Sequence, residues 1–257
     1  MDYSVIDNSN LLNHLFYPRD YFVSPPENAF DLMVDVEKGV VVHCRFYQGQ
    51  RQKGPWILYF HGNGEVVSDY NEIAPYYNKE GINLVVADYR GYGSSNGYPN
   101  FSNVINDAPV ILEAVKDKIN QKNLGSTGIW VMGRSLGSMP ALYLAQSHFD
   151  ELKGIIIESG FVSIVKLINH LGLPSPGDLS HLEKKAKEMV KKISLPALIF
   201  HGERDQIVPL EQGEEIYELL ASKDKRIFTV PRAGHNDIFF LERERYMREI
   251  KNLVKKR

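Results

Sequence analysis

The segment Gly128-Ile129-Trp130-Val131-Met132 runs straight into Gly133-Arg134-Ser135-Leu136-Gly137, and an apolar stretch from Met139 to Ala145 follows. No other succession in the chain constrains it so tightly, because an extended strand must reverse into a helix within five residues. Side chains at the two ends of such a reversal would collide, so glycine is favoured there, and the residue between them is forced into strained backbone geometry. The turn lifts the Ser135 hydroxyl clear of its neighbours. It also turns the first free N–H groups of the helix, that of Leu136 among them, toward the same space. Ser135 is the candidate nucleophile on these grounds.

The rest of the chain supplies the sheet that such a turn needs. Residues from Leu32 to Tyr47 alternate apolar and polar on either side of Lys38-Gly39, which predicts an antiparallel hairpin. Six compact apolar runs follow: Trp56-Phe60, Ile82-Ala87, Ile129-Met132, Gly154-Ile157, Ala197-Phe200 and Arg226-Val230. Apolar strands separated by helical segments predict a mostly parallel sheet covered by helices on both faces. Helical spacing is clear at Val104, Ala108, Ile111, Leu112, Val115 and Ile119, and again at Tyr246, Ile250, Leu253 and Val254. Val66 to Lys79 has the same spacing, with Pro75 inside it. Residues 161–195, after the sixth strand, break the rhythm with a Gly/Pro-rich turn and a lysine-rich helix, and predict a small cap-like insert within one domain spanning 1–257. The lysines alternate with Ala186, Met189, Val190 and Ile193, so they read as the solvated face of a helix rather than an anion site.

Composition excludes several classes of function. With 43% hydrophobic and 24% charged residues, and a net charge of −2, nothing predicts a nucleic-acid partner. No apolar stretch is long enough to cross a bilayer, and the N-terminus lacks a basic leader and an apolar core, so the expectation is a cytoplasmic protein, or a mature form whose signal has been removed, without an integral membrane segment. The single cysteine, Cys44, rules out an internal disulfide framework and a multi-cysteine metal site, and reads as a buried small hydrophobe. No metal and no cofactor is expected. The sequence leaves the oligomeric state open.

A serine hydroxyl needs a base, and histidine has the suitable intrinsic pKa. Of the eight histidines, His235 alone lies in a loop between the last apolar run and the last helix, whereas His61 and His201 end strands and read as structural. The base needs a carboxylate to fix its tautomer. Asp205, after the Ala197-Phe200 run, gives the order Ser, Asp, His and is favoured over its rivals Glu158 and Glu203. A second donor for a developing oxyanion is expected from the Asn63 N–H in the loop His61-Gly62-Asn63-Gly64-Glu65, alongside Leu136 N–H. Arg134 could meet an anionic acyl group but reads more simply as a structural ion pair. Phe16, Tyr17, Tyr21 and Phe22 either line an acyl pocket or pack on the core.

Four motifs in order, His61-Gly62-Asn63-Gly64, Asp88 to Ser95, Gly133 to Ser138 and His201 to Pro209, resemble the α/β-hydrolase superfamily from Leu32 onward, and within it the Bem46-like or serine aminopeptidase S33-like group. The resemblance implies the α/β-hydrolase fold, a Ser135–Asp205–His235 triad and an oxyanion hole from Asn63 and Leu136. The expected activity is cleavage of a small to medium carboxylic ester, a small-molecule acyl substrate, through an acyl-enzyme. Alternatives are an acyl-protein thioesterase, a peptidase, or a non-catalytic binding protein that keeps the fold.

Overall fold

Ala29–Glu37 (β1) and Val40–Tyr47 (β2) form the antiparallel hairpin, turning at residue 39 where Gly39 has a φ of 78° that only glycine adopts easily. The computed structural model describes residues 2–50 and 53–255. The remaining strands are Gly54–Phe60 (β3), Asn83–Ala87 (β4), Ser126–Arg134 (β5), Leu152–Glu158 (β6), Ala197–Gly202 (β7) and Lys225–Val230 (β8). They join in one eight-stranded sheet ordered β1-β2-β4-β3-β5-β6-β7-β8. From β4 to β8 every neighbouring pair is parallel, and β2 joins β4 antiparallel. The mostly parallel sheet with an antiparallel N-terminal pair is the expected architecture.

Alternation along the central strands feeds two cores. Trp56, Leu58 and Phe60 of β3 join one cluster and Ile57 and Tyr59 the other, so the sheet is buried on both sides. The first core is closed by Ser4–Asp7 (α1), Leu12–Leu15 (α2), Phe101–Gln121 (α4), Ser138–Ser147 (α5), Ile164–His170 (α6), Ser180–Val190 (α7) and Leu210–Leu219 (α8). The second is closed by Ala74–Lys79 (α3) and Ile238–Lys255 (α9). Full burial of each Leu, Ile or Phe side chain stabilises the fold by about 1.5–3 kcal/mol.

Local chemistry sets the ends of these elements. The Asn100 side chain accepts the Asn103 N–H at 2.7 Å and caps α4, while the Asp7 carboxylate takes the Phe101 and Ser102 N–H groups and ties α1 to the same end. The helix expected over Val66 to Lys79 is instead a 3₁₀ turn, Val67–Asn71, followed by the short α3. Pro75 sits in the first turn of α3, where its missing N–H is no loss, so it starts a helix rather than interrupting one. Residues 161–195 hold α6, the Gly/Pro turn and α7, whose Leu182, Ala186 and Val190 are buried while Lys187 and Lys191 pair with Glu183 and Glu188 at the surface. Cys44 is fully buried, and burial raises its thiol far above the ordinary range.

Candidate active site

The elbow owes its shape to two close approaches. A side chain on Gly133 would run into the Gly137 carbonyl and, at 2.8 Å, the Ala141 methyl, and one on Gly137 would run into the Phe60 carbonyl and, at 2.9 Å, that of His61. Neither glycine has a positive φ. Ser135 does, at 50°, so the strain is carried by the residue whose hydroxyl is displayed. Behind the turn the Ser138 hydroxyl donates to the Ser135 carbonyl at 2.7 Å.

Two further loops converge on Ser135 from the C-terminal ends of β7 and β8. They are zipped together by backbone bonds, Arg204 N–H to Ala233 at 2.8 Å and Glu203 N–H to Val230 at 3.1 Å. Gly202 permits this approach, since a side chain there would meet the Ala233 and Gly234 carbonyls. The result is a continuous chain of hydrogen bonds. Asp205 Oδ2 lies 2.7 Å from His235 Nδ1, and His235 Nε2 lies 2.9 Å from Ser135 Oγ. The other Asp205 oxygen accepts the Ile207 and Val208 N–H groups at 3.0 and 2.8 Å, which holds the carboxylate in place. Burial would raise the Asp205 carboxyl, but the bond and charge of His235 and the Val208 N–H outweigh it and hold it below the ordinary range. The carboxylate is therefore charged at neutral pH.

The rival carboxylates lie elsewhere. Glu158, at the end of β6, bonds Arg134 Nε at 3.2 Å and the Tyr246 hydroxyl, and its burial raises its pKa. Glu203 accepts the Thr229 hydroxyl at 2.9 Å at the surface. His61 and His201 are both fully buried, and His201 Nε2 lies 3.6 Å from Asp205 Oδ2. His61 bonds Asp88 and the Gly62 carbonyl, and His201 donates to the Val208 carbonyl at 2.8 Å.

Asn63 lies on the loop after β3. Its side chain accepts from Tyr17 N–H at 3.0 Å and the Tyr92 hydroxyl at 2.7 Å and donates to the Leu15 carbonyl at 2.9 Å. Asn63, Leu136, Ser135 and His235 share the lining of one cavity. The cavity measures about 380 Å³, and Leu15, Phe101, Phe161, Ile164 and Leu167 make its apolar wall. Tyr17 lines it too, whereas Phe16 packs on Phe101 in the core and Tyr21 and Phe22 are exposed. Of the four aromatics, Tyr17 thus takes the first role considered and Phe16 the second, while Tyr21 and Phe22 take neither. Among the described residues no group of three or more His, Cys, Asp or Glu side chains is placed to hold a metal ion.

Arg134 is the part of the site that sequence reasoning left blandest. It is the ion pair expected, but with four partners: Glu65, Glu158, the Asn236 side chain at 2.6 Å and the His235 carbonyl at 2.8 Å. Glu65 and Asn236 stand in motifs already singled out, beside Asn63 and His235, yet nothing in their spacing announces a shared partner.

Comparison with known proteins agrees with the fold. The sequence matches the serine aminopeptidase S33 family over residues 52–176 and 176–243. It is 30% identical to Protein bem46 of Schizosaccharomyces pombe over 189 residues, 71% of this chain and 62% of that one. A second relative, named an uncharacterized membrane protein of Saccharomyces cerevisiae, is 32% identical over 167 residues, 63% of this chain and 57% of that one. The Pyrococcus furiosus esterase Pf2001 superposes with a TM-score of 0.74 at 18% identity, covering 93% of this chain and 98% of the other. None of the described helices is long and apolar enough to cross a membrane. With its motifs, its sheet order and its matched residues in agreement, the chain belongs to the serine aminopeptidase S33 family and has the α/β-hydrolase fold.

Proposed function

We propose that the protein is a serine hydrolase that cleaves carboxylic esters of small to medium size through an acyl-enzyme. The observation that carries this reading is the unbroken Asp205–His235–Ser135 chain, at 2.7 and 2.9 Å, opening on an apolar cavity. With Nδ1–H donated to Asp205, the His235 Nε2 lone pair takes the Ser135 proton as Oγ attacks the ester carbonyl. The oxyanion meets the Asn63 and Leu136 N–H groups. His235 then gives its proton to the departing alcohol, and by the same route activates the water that releases the acid and restores Ser135.

The lining also selects the acyl group. Among its residues are no Asp or Glu, and its one guanidinium, Arg134, is already committed to two carboxylates and two carbonyl oxygens. An uncharged acyl chain fits such a wall, and a peptide α-amino group finds no carboxylate there, which favours an ester over the aminopeptidase chemistry of the family name. The match to an esterase structure supports the same side. Hydrolysis of p-nitrophenyl acetate and butyrate by wild type, and its loss in Ser135→Ala, tests the reading. Retained activity in that variant overturns it. Labelling by a fluorophosphonate separates it from a non-catalytic binding protein, which would be folded yet unlabelled. The location proposed is cytoplasmic, and fractionation of the full-length protein decides between this and the membrane association named for the Saccharomyces relative.

A further inference from the structure

Arg134 directly precedes Ser135, so its backbone is part of the elbow while its side chain runs behind the site, only 9% exposed. There it touches both other loops that the proposed chemistry needs. Nη2 donates to the carbonyl of His235 itself at 2.8 Å and to Asn236 Oδ1 at 2.6 Å. Nη1 pairs with Glu65, whose second oxygen accepts the Gly62 N–H at 2.7 Å and the Tyr70 hydroxyl at 2.8 Å and so holds the loop carrying Asn63. Nε donates to Glu158 at 3.2 Å, anchoring the whole group to the end of β6. Four donations in divergent directions demand a planar fork, which a lysine ammonium cannot reproduce.

We infer that Arg134 is a positioning residue, which sets His235 Nε2 and the Asn63 N–H relative to Ser135 Oγ. The inference rests on the hydrolase reading above. It goes beyond a structural ion pair because the two acceptors on Nη2 belong to the loop of the base, and no other described side chain bonds the His235 carbonyl. Gly62 gives independent support: a Cβ there would strike the Arg134 guanidinium, so the loop of Asn63 is fitted around it. A second cavity of about 290 Å³ is lined by Arg134, Glu65, Glu158, Asn236 and Tyr246 but not by Ser135. That cavity offers a route for a soluble cation to the same carboxylates.

The test compares Arg134→Lys, Arg134→Ala and Gly62→Ala with wild type on p-nitrophenyl butyrate. Displacing a reacting group by about 1 Å costs about 100-fold in rate, so kcat of Arg134→Lys should fall on that order while KM holds. Millimolar guanidinium should restore much of kcat to Arg134→Ala without affecting wild type. Gly62→Ala, which keeps the arginine but pushes it, should lose kcat in the same sense, and it carries the test if Arg134→Ala does not fold. A folded Arg134→Lys with wild-type kcat overturns the inference. So does guanidinium that raises the melting temperature of Arg134→Ala without raising kcat, the result of a purely structural role. Fluorophosphonate labelling of Ser135 keeps the two readings apart. Where wild type labels and the variants label equally fast, only this inference fails; where wild type does not label, the hydrolase reading fails and this one with it.

Discussion

Two histidine–aspartate pairs sit in loops at the same edge of the sheet, and they differ in what the second ring nitrogen meets. In His61–Asp88 both nitrogens face oxygens that only accept, the Asp88 carboxylate at 3.0 Å and the Gly62 carbonyl at 2.8 Å. Only a doubly protonated ring satisfies both. The ring and the carboxylate are fully buried, and Asp88 also takes the Val67 N–H at 2.9 Å. In His235–Asp205 one nitrogen faces the carboxylate and the other a hydroxyl, which can donate or accept. The first ring is held in its doubly protonated form by two acceptors and serves as a brace. The second can change state within its bonds, and that freedom is what proton transfer requires. A His–Asp contact is therefore no signature of catalysis until the other nitrogen is inspected.

Exchanging each aspartate for asparagine is the most forceful way to break this contrast. Asp205→Asn keeps the shape but presents an NH₂ to the ring or reverses its tautomer, and should lower kcat by about 10⁴-fold with little change in folding. Asp88→Asn should do the opposite. It leaves a buried imidazolium without its counter-charge, and loss of one partner of a buried pair costs about 3–5 kcal/mol, read as a lower urea midpoint. The activity of the protein that remains folded should fall far less than in Asp205→Asn. Comparable kcat losses in the two would erase the distinction.

The contrast also shows what the sequence made legible. That Ser135, Asp205 and His235 meet could be anticipated because each follows a strand and precedes a helix, so chain order alone carries the three loops to one sheet edge. His61 and His201 could be set aside by the same reasoning, since each ends a strand and precedes a glycine. The Glu65–Arg134–Glu158 group could not be assembled, because its partners are 69 and 24 residues apart and meet only once β3, β5 and β6 are adjacent. The helices α1 and α2 escaped for another reason. Four residues each, they are too short to show a helical period, and they hold their place through tertiary contacts such as Asp7 with α4.

Acidity offers a gentler probe of the brace. Burial alone would lower the His61 pKa, but the bond and charge of Asp88, with help from Glu65 and the Gly62 carbonyl, outweigh it and raise it above the ordinary value. Asp88 also faces the His43 ring at 3.4 Å, and the Tyr89 ring packs on His61 without competing for its protons. A histidine whose pKa is higher folded than unfolded adds stability that is complete below about 6.5 and is lost as pH rises through the folded value. Urea midpoints should therefore fall on the alkaline side of neutrality, by less than in Asp88→Asn, and the slope should weaken in His61→Gln. An unchanged slope in that variant would place the proton uptake elsewhere.

The smallest effect belongs to the carboxylate nearest Asp205 in sequence. Glu203→Gln keeps the acceptor for the Thr229 hydroxyl, because the amide oxygen can take the same 2.9 Å bond at the surface. Its backbone N–H, which helps zip the two loops at 3.1 Å, is untouched by the exchange. Stability should stay within about 0.5 kcal/mol of wild type, and kcat and KM should not move. The equality matters because Glu203 lies two residues from Asp205, so a general loss of negative charge in this loop would be felt almost equally from either position. A rate that drops with Glu203→Gln would mean that the field of the loop, rather than one bond to His235 Nδ1, orients the base. A rate that holds while Asp205→Asn collapses ties the function to that bond alone.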